Sequence, residues 1–271
     1  MRDSAALSCS EVTSEEIAAY HQDGVVMARG LVHPEWLERI EKAVDRVMAA
    51  PSPIASLYSK PQEGFQMEAG LFNSDEDIQA VVRRSPLAQI ARAFMGSRNV
   101  YFFYDQLFCK QPGNQNATHW HHDITFWPVR GEQILSIWVP LDPVTRESSG
   151  LEFVRGSHRW KKEFKAVSPL YNAELLDPAH EVMPDIDADR DAYDLVSWAM
   201  VPGDVLIFHP KTVHGSSGNT HLEQQRRAIA FRFLGDDVTY RPTRYTMPFP
   251  VAGLQEGDRV GEPSFARIIS G

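Results

Sequence analysis

The N-terminal third of the chain places apolar residues among polar ones at helical spacing. Between Pro34 and Pro51 the apolar residues fall three or four positions apart, which predicts an amphipathic helix. Before it, Thr13-x-x-Glu16 is a capping box, which predicts a short helix that ends at Gly24. The chain is therefore expected to open on two helices.

A loop and a pair of helices are predicted next. Residues 51–72 contain scattered Pro, Ser and Gly without a period, so we expect a loop there. Residues 75–84 and 86–94 are predicted as two short helices, the second closed by Gly96.

From residue 99 onward the residue pattern favours strands rather than helices. β-Branched and aromatic residues are concentrated in short runs separated by Gly, Pro and Asn. The predicted strands are Val100–Lys110, Gln133–Leu141, Gly150–Val154, Val205–Phe208 and Ala228–Leu234. Helices followed by many short strands indicate a mainly β fold with flanking α, namely a double-stranded β-helix (jelly roll, cupin-like) with N-terminal helices.

The length of 271 residues fits one large domain or two small ones, and we expect a single domain over residues 1–271. We divide it into a mainly helical flank (1–98), a jelly-roll core (99–235) and a C-terminal extension (236–271). Residues 160–198 would be an insertion in the core.

The insertion at 160–198 is rich in acidic residues, with seven Asp and Glu between 177 and 194. A solvated loop is the favoured interpretation. The alternative is a lid over the site, because connections of this length are uncommon inside compact domains and often bind ligands.

Composition and charge limit the partners and the compartment. The net charge of −9 argues against nucleic acid and anionic membrane surfaces. Residues 1–9 lack the apolar segment of a secretory signal, and the two cysteines, Cys9 and Cys109, are far apart. We therefore expect a cytoplasmic protein without disulfides. The oligomeric state stays open.

His121, Asp123 and His214 are the candidate metal ligands. In an extended strand, side chains two residues apart lie on one face, so His121 and Asp123 can reach one ion while His122 points away. His214 would supply the third ligand from another strand. Two imidazoles and one carboxylate are the ligand set of non-haem Fe(II) oxygenases.

Three other histidines are less suitable ligands. His119 shares a face with His121 but lacks the His-x-Asp spacing, and His122 has the wrong parity. His209 could compete with His214, but Pro210 follows it directly.

The ordered motifs resemble the phytanoyl-CoA dioxygenase family of Fe(II)/2-oxoglutarate oxygenases. The resemblance covers roughly residues 10–235 and includes a similar N-terminus. Its motifs are the His121-x-Asp123 box, the turn Arg155-Gly156-Ser157-His158, and the box from His214-Gly215-Ser216 through Asn219 to Arg226.

This resemblance implies Fe(II) as cofactor and 2-oxoglutarate and O2 as cosubstrates. The expected reaction hydroxylates an unactivated C–H bond of a small molecule and releases succinate and CO2. Related halogenases lack the carboxylate ligand, so Asp123 favours hydroxylation. The Gly156-Ser157-His158 turn is expected to be structural.

The 2-oxoglutarate site is assigned from the same resemblance. Arg226 aligns with the arginine that binds the distal carboxylate, and a guanidinium can bind a carboxylate bidentately. On strand parity Arg226 shares its face with Ala228, Ala230 and Arg232, whereas Arg227 lies on the other face; the opposite register is the alternative. Further candidates are Ser216, Thr118 and Lys110, although a solvated strand end is the favoured interpretation of Lys110.

Phe126 and Trp127 are candidate substrate contacts, because aromatic residues after the His-x-Asp box line the substrate cavity in this family. Simple core packing is the alternative. CoA carries several phosphates and needs a basic groove, so the charge of −9 favours a free metabolite.

Two other classes of function remain open. One is a non-oxidative cupin-type metalloenzyme, such as an isomerase, that uses the same triad. The other is a binding module without activity, although no ligand of the triad is missing from the sequence.

Overall fold

The computed structural model describes residues 12–53, 55, 59, 63–166 and 177–271. Four α-helices belong to this part of the chain: α1 (Ser14–Asp23), α2 (Pro34–Ala49), α3 (Glu76–Arg84) and α4 (Leu87–Met95). The strands before residue 150 are β1 (Val25–Ala28), β2 (Phe65–Ala69), β3 (Val100–Lys110), β4 (Thr118–His121), β5 (Val129–Arg130) and β6 (Ile134–Pro140). Those after it are β7 (Leu151–Val154), β8 (Leu195–Val196), β9 (Val205–Phe208), β10 (His214–Ser216), β11 (Arg226–Leu234), β12 (Thr239–Tyr240) and β13 (Arg267–Ile269).

The predicted helices are confirmed, and local chemistry sets their ends. Thr13 caps α1 through the reciprocal bonds with Glu16, and Gly24 ends it in the left-handed conformation at φ 79°. Asp75 caps α3 with bonds from two backbone N–H groups, and Gly96 ends α4. These caps depend on residues close together in the sequence, so they could be predicted without tertiary information.

One expectation for this region is wrong. Phe65–Ala69 is a strand, not loop, and it pairs antiparallel with β3 from Phe65↔Lys110 to Ala69↔Gln106. The segment has no β-branched residue, so its strand conformation is imposed by the ladder of the neighbouring strand. Residues 54, 56–58 and 60–62 of the expected loop lie outside the described residues.

The strands form a large sheet and two smaller ones. The seven-stranded sheet has the order β1-β9-β6-β11-β3-β13, with β2 also on β3, and the four-stranded sheet has the order β4-β10-β7-β8. Strands β5 and β12 form a separate pair. The chain is thus mainly β with few helices, in agreement with the predicted fold class.

Strand β11 divides the core between two layers. Ile229, Phe231 and Phe233 pack with the helices in one hydrophobic cluster. Ala228 and Ala230 belong to another cluster, which includes Phe153 of the four-stranded sheet. This alternation confirms the predicted parity of the strand, and it puts Arg226 on the face that looks toward the smaller sheet.

The C-terminal extension completes the large sheet. Strand β13 pairs with β3, and Phe265 is buried in a cluster with Phe103 and Trp127. Residues far beyond the predicted core therefore pack against the strand that carries Lys110.

Candidate metal and cosubstrate site

Two adjacent strands bring the candidate histidines together. His214 of β10 is the direct partner of His121 of β4 in an antiparallel pair, and their ring centroids lie 4.3 Å apart. The ring of Phe153 stacks on His214 at 5.5 Å, which fixes the plane of that imidazole.

Both imidazoles have the same outer hydrogen bond. His121 Nδ1 lies 2.7 Å from the carbonyl oxygen of His119, and His214 Nδ1 lies 3.0 Å from that of Thr212. A carbonyl oxygen only accepts, so each Nδ1 carries the proton and each Nε2 presents a lone pair. Each acceptor is thus the backbone carbonyl two residues before the histidine, a contact that the sequence pattern does not reveal.

Asp123 faces the two Nε2 atoms from the end of the strand. Strand β4 ends at His121, and Asp123 is the first residue of a 3₁₀-helix, Asp123–Phe126. His122 between them is still extended, at φ −124° and ψ 145°, so the predicted alternation holds although Asp123 itself is not in a strand. Asp123 Oδ1 lies 3.6 Å from His121 Nε2 and 3.9 Å from His214 Nε2.

The protonation of these groups suits metal binding. Burial and the neighbouring His121 lower the pKa of His214 to about 4. Burial by itself would raise the pKa of Asp123, but His121, Arg232 and His214 hold it well below its ordinary value. At neutral pH the site therefore offers a neutral imidazole and a carboxylate.

His121, Asp123 and His214 are the one group of three metal-ligating side chains found within the described ranges, with ligand atoms no more than 4.8 Å apart. His122 points away and its Nε2 accepts the backbone N–H of Phe164 at 3.0 Å. His209 Nδ1 accepts the N–H of Lys211. Both serve as hydrogen-bond acceptors and lie outside the group of three.

A buried cationic cluster lies beside the triad. Four oxygen atoms lie within hydrogen-bond distance of Lys110 Nζ: the Ser216 hydroxyl at 3.2 Å, Thr118 Oγ1 at 3.3 Å and the carbonyls of Asn116 and Ser217. Lys110 is 1% exposed, so the expected solvated strand end is wrong. Burial, together with the charge of Arg226, lowers its pKa to about 6.

Arg226 joins this cluster from the neighbouring strand. It is the direct partner of Lys110 in the β3–β11 ladder and is 3% exposed. Its Nη1 and Nη2 make bonds of 3.4 Å to the Phe108 carbonyl and to Ser149, and its Nε has no hydrogen-bond partner among the described residues. Burial lowers its pKa to about 10.

Arg227 has the opposite environment. It lies on the opposite face of the strand and forms a bidentate ion pair with Asp142, with its Nε and Nη2 at 3.1 and 2.8 Å from the carboxylate oxygens. Of the two adjacent arginines, Arg226 is thus the buried one that has a free N–H among the described residues, and it is the one that the sequence analysis chose as the candidate.

Sequence reasoning missed two members of the cluster. Ser149 Oγ donates to the Ser217 carbonyl at 2.6 Å and lies 3.1 Å from Ser216 Oγ, and the residue holds a positive φ of 67° that is unusual outside glycine. Trp138 lies under the Arg226 guanidinium at 5.9 Å. It belongs to an entirely buried strand, so no polar alternation marked its inward face.

Phe126 and Trp127, the two aromatic residues that follow Asp123, have different environments. The Phe126 ring lies edge-on to His121 at 6.1 Å. Trp127 is buried with Phe103 in a core cluster and donates its indole N–H to the Tyr104 hydroxyl at 2.8 Å. Of the two, Phe126 is the one beside the candidate metal ligands.

A second buried arginine, Arg232, was placed on the Arg226 face by parity but given no role. It is 3% exposed, and its Nη2 lies 3.9 Å from Asp123 Oδ2. The signal was present in the sequence, since a charged residue six positions along the same inward face is itself unusual.

The Gly156-Ser157-His158 turn supports the site from behind. Ser157 Oγ donates to the Val154 carbonyl at 2.6 Å and accepts the Val213 N–H at 2.8 Å. It thereby ties strand β7 to the residue that precedes His214, which agrees with the structural role expected of this turn.

The acidic segment contacts the outer side of the four-stranded sheet. Ile186 is fully buried in a cluster with Trp120, Val154 and Val213, and Arg190 pairs with Glu152. The carboxylates of Asp185, Asp187, Asp189 and Asp191 are exposed. Residues 167–176 of this segment lie outside the described residues.

The donor set fits iron and a dicarboxylate. Two neutral imidazoles and one carboxylate on one side of an ion leave further positions open, as in non-haem Fe(II) oxygenases. Ser216 lies two residues from His214 on the same strand, about 7 Å away. That separation is comparable to the length of a five-carbon dicarboxylate.

A mainly β fold that carries two histidines and one aspartate is typical of cupin-like metalloenzymes. The model of the phytanoyl-CoA dioxygenase family (PhyH) matches residues 20–228. The chain belongs to this family, which confirms the resemblance seen in its motifs.

Known relatives extend over nearly the whole chain. Ectoine dioxygenase of Sphingopyxis alaskensis is 24% identical over 278 residues, which cover 96% of this chain and 87% of that protein. The structure of SnoK, a non-heme alpha ketoglutarate dependent carbocyclase from nogalamycin biosynthesis, aligns with a TM-score of 0.74 at 20% identity, over 95% of this chain and 97% of SnoK.

A further solved structure contains both implied groups. The epimerase SnoN, in complex with Fe3+, alpha ketoglutarate and nogalamycin RO, aligns with a TM-score of 0.72 at 20% identity, over 94% of this chain and 97% of SnoN. Iron and 2-oxoglutarate are thus bound in the fold that this chain shares. Among the described residues of the present chain, no helix is long and apolar enough to cross a membrane.

Proposed function

We propose that this protein is an Fe(II)- and 2-oxoglutarate-dependent dioxygenase that hydroxylates an unactivated C–H bond of a small molecule. The observation that carries the proposal is the adjacency of two clusters. Three metal-ligating side chains lie at one end of strand β10, and a buried lysine and a buried arginine lie beside its other end.

We also infer the finer architecture. The seven- and four-stranded sheets, with a hydrophobic cluster formed by both, support a double-stranded β-helix that encloses the site. Residues 1–271 would then be one domain, with the helices of 1–98 and the extension 236–271 packed around the core of 99–235.

The triad would hold the metal on one side only. His121 and His214 present Nε2 lone pairs because their Nδ1 protons are bound to backbone carbonyls. Asp123 presents Oδ1 toward both imidazoles. Facial binding by three protein atoms leaves room for the cosubstrate and for O2.

Lys110 and Arg226 would bind the distal carboxylate of 2-oxoglutarate, with Ser216 and Thr118 as further donors. Both cations are almost fully buried, and a charge-assisted bond in such a site is stronger than one in water. When bound, iron and 2-oxoglutarate would supply the chemistry by which O2 is used to hydroxylate the substrate, while 2-oxoglutarate is converted to succinate and CO2.

Phe126 is the residue we assign to the substrate wall, from its position beside His121. Trp127 would support the wall from the core rather than contact the substrate. The exposed carboxylates of the acidic segment and the net charge of −9 favour a free metabolite over a CoA ester, because CoA carries several phosphates. A cytoplasmic location fits such a substrate.

A non-oxidative metalloenzyme is the second candidate, and it would use the same triad. It has no need for a dicarboxylate site, so the cluster around Lys110 and Arg226 argues against it. Succinate release separates the two functions directly.

The test is succinate formation from 2-oxoglutarate by the Fe(II)-loaded protein in air, screened over a library of metabolites. We expect one Fe(II) per chain, succinate above background, and stimulation by the true substrate. His121→Ala and His214→Ala should abolish metal binding and turnover, whereas His119→Ala, an exposed histidine beside the triad, should retain both. Metal binding without succinate formation in any mixture would favour the non-oxidative alternative, and full metal occupancy in either triad variant would overturn the site.

A further inference from the structure

Arg232 is a buried cation close to the candidate metal ligands. It lies on strand β11, six residues after Arg226, next to the register shift between Phe231 and Phe233. Only 3% of it is exposed. Burial of a guanidinium is costly unless its charge and its N–H groups are compensated.

The contacts of Arg232 leave that cost only partly offset. Its guanidinium carbon lies over the Tyr104 ring, 4.4 Å from the ring centroid, and 5.4 Å from the centroid of the Trp127 ring. Its Nη2 donates to Gln106 Oε1 at 2.9 Å. Its Nε and Nη1 are buried and have no hydrogen-bond partner in the described part of the chain. Such unsatisfied donors are rare in folded proteins and call for an explanation.

The neighbouring carboxylate has the complementary defect. Asp123 Oδ1 faces the two imidazoles, whereas Oδ2 points the other way, is buried and accepts no hydrogen bond from the described residues. Arg232 Nη2 lies 3.9 Å from this oxygen. An acceptor without a partner among the described residues therefore lies beside a guanidinium whose hydrogen bonds are incomplete, and the separation of 3.9 Å is less than 1 Å beyond the usual hydrogen-bond range.

We propose that Arg232 is the positioning residue for Asp123: it binds the outer oxygen of the carboxylate when the inner oxygen binds the metal. The proposal rests on the proposed metal site. Carboxylates that ligate metals are themselves held by hydrogen bonds, and loss of such a partner typically lowers metal affinity 10–100-fold.

The consequence is control over how Asp123 binds. With Oδ2 held by Arg232, the carboxylate can offer only Oδ1 to the metal. Without Arg232, Oδ2 can rotate toward the ion and occupy a position that the cosubstrate needs. The stack on Tyr104 and Trp127 and the bond to Gln106 keep the guanidinium in place, as is required of a group that positions another.

The experiment compares Arg232→Met with Arg227→Met in the full chain. Both variants remove an arginine from the same strand, but Arg227 pairs with Asp142 on the opposite face. The probe is Co(II), added under argon to metal-free protein, with the dissociation constant measured by chelator competition. The Co(II) absorption spectrum is recorded as well, because it reports the number and arrangement of ligands.

We expect Arg232→Met to weaken Co(II) binding 10–100-fold and to change the spectrum, and Arg227→Met to match the wild type within about 2-fold. A merely structural role for Arg232 would lower thermal stability but leave the spectrum of the loaded protein unchanged. That result, or equal affinity in the two variants, overturns the proposal.

If Arg232→Met does not fold, Arg232→Lys decides. It keeps a buried cation but cannot bridge Gln106 and Asp123 with one planar group, so we expect at least a 3-fold loss of Co(II) affinity with an altered spectrum. An unchanged affinity and spectrum would overturn the proposal. A wild-type protein that binds no Co(II) would instead refute the metal site itself, and with it the function on which this inference rests.

Discussion

Arg226 and Arg227 show how far a single residue's role depends on which side of a strand it occupies. Arg226 is buried beside Lys110, and its Nε has no hydrogen-bond partner in the described ranges, while Arg227 forms a bidentate pair with Asp142. Period-two alternation put the two on opposite faces, and the family resemblance chose Arg226; in the structure one face of the strand packs under the helices and the other faces the smaller sheet.

Arg226→Ala should therefore weaken 2-oxoglutarate binding far more than Arg227→Ala. Loss of one partner of a buried charge-assisted pair costs about 2–5 kcal/mol, whereas Arg227 lies away from the site. Calorimetric titration of the Fe(II)-loaded protein without O2 measures the difference. The reverse order would mean that the strand register is wrong by one residue.

Lys110 should make 2-oxoglutarate binding depend on pH. Its pKa of about 6 in the free protein leaves it mostly neutral at pH 7.5. A bound dianion favours the charged form and raises this pKa, so binding should take up a proton. The affinity gained from the charge is then complete below pH 6 and is lost as the pH rises through the pKa of the complex.

Calorimetry in two buffers with different heats of ionisation measures this uptake. At pH 7.5 we expect the wild type to take up close to one proton for each 2-oxoglutarate bound, and Lys110→Met to take up none. The variant should also bind 2-oxoglutarate more weakly. Equal uptake in both proteins would assign the proton to another group.

At the scale of elements, the acidic segment is attached through its apolar residues. Ile186 is buried against the outer side of the strands that carry the triad, while Asp185, Asp187, Asp189 and Asp191 are exposed. Burial rather than charge should therefore hold the segment in place.

Ile186→Ala should destabilise the protein by about 2–5 kcal/mol, and changing the four aspartates to asparagine should change the free energy of unfolding by only about 0.5 kcal/mol each. If the segment acts as a lid, the Ile186 variant should also release more succinate per product, because water reaches the site. Urea denaturation and a succinate-to-product ratio test both points. Unchanged coupling in both variants would leave the segment as a solvated loop.

At the scale of the whole molecule, the C-terminal extension is part of the fold rather than an appendage. Phe265 is 1% exposed, and its ring stacks on that of Phe249 at 5.5 Å. The cluster around it includes Trp127, which lies under Arg232. The extension thus reaches the site through two layers of side chains.

Phe265→Ala should cost about 3–5 kcal/mol of stability and should weaken metal binding only if the protein loosens around Trp127. Truncation after residue 235 should remove the cooperative unfolding transition altogether. Thermal denaturation of both variants checks the single-domain prediction, and an unchanged transition in the truncated chain would refute it.

The sequence by itself determined what rests on local rules and on strand parity. The caps of α1 and α3, the glycine ends, the strands rich in β-branched residues and the triad His121, Asp123 and His214 all follow from spacing and residue type. Parity also put Arg226 and Arg227 on opposite faces of one strand, while the choice of Arg226 came from the family resemblance. These signals act over a few residues, so they can be read without knowing the neighbours.

Only the tertiary structure decided what depends on partners far apart in the chain. Phe65–Ala69 is a strand because β3 lies beside it. Lys110 is buried because β10 and the turn at Ser149 close over it. Arg232 meets Asp123 across a separation of 109 residues in sequence. Burial and pairing are set by the whole fold, and no local pattern carries them.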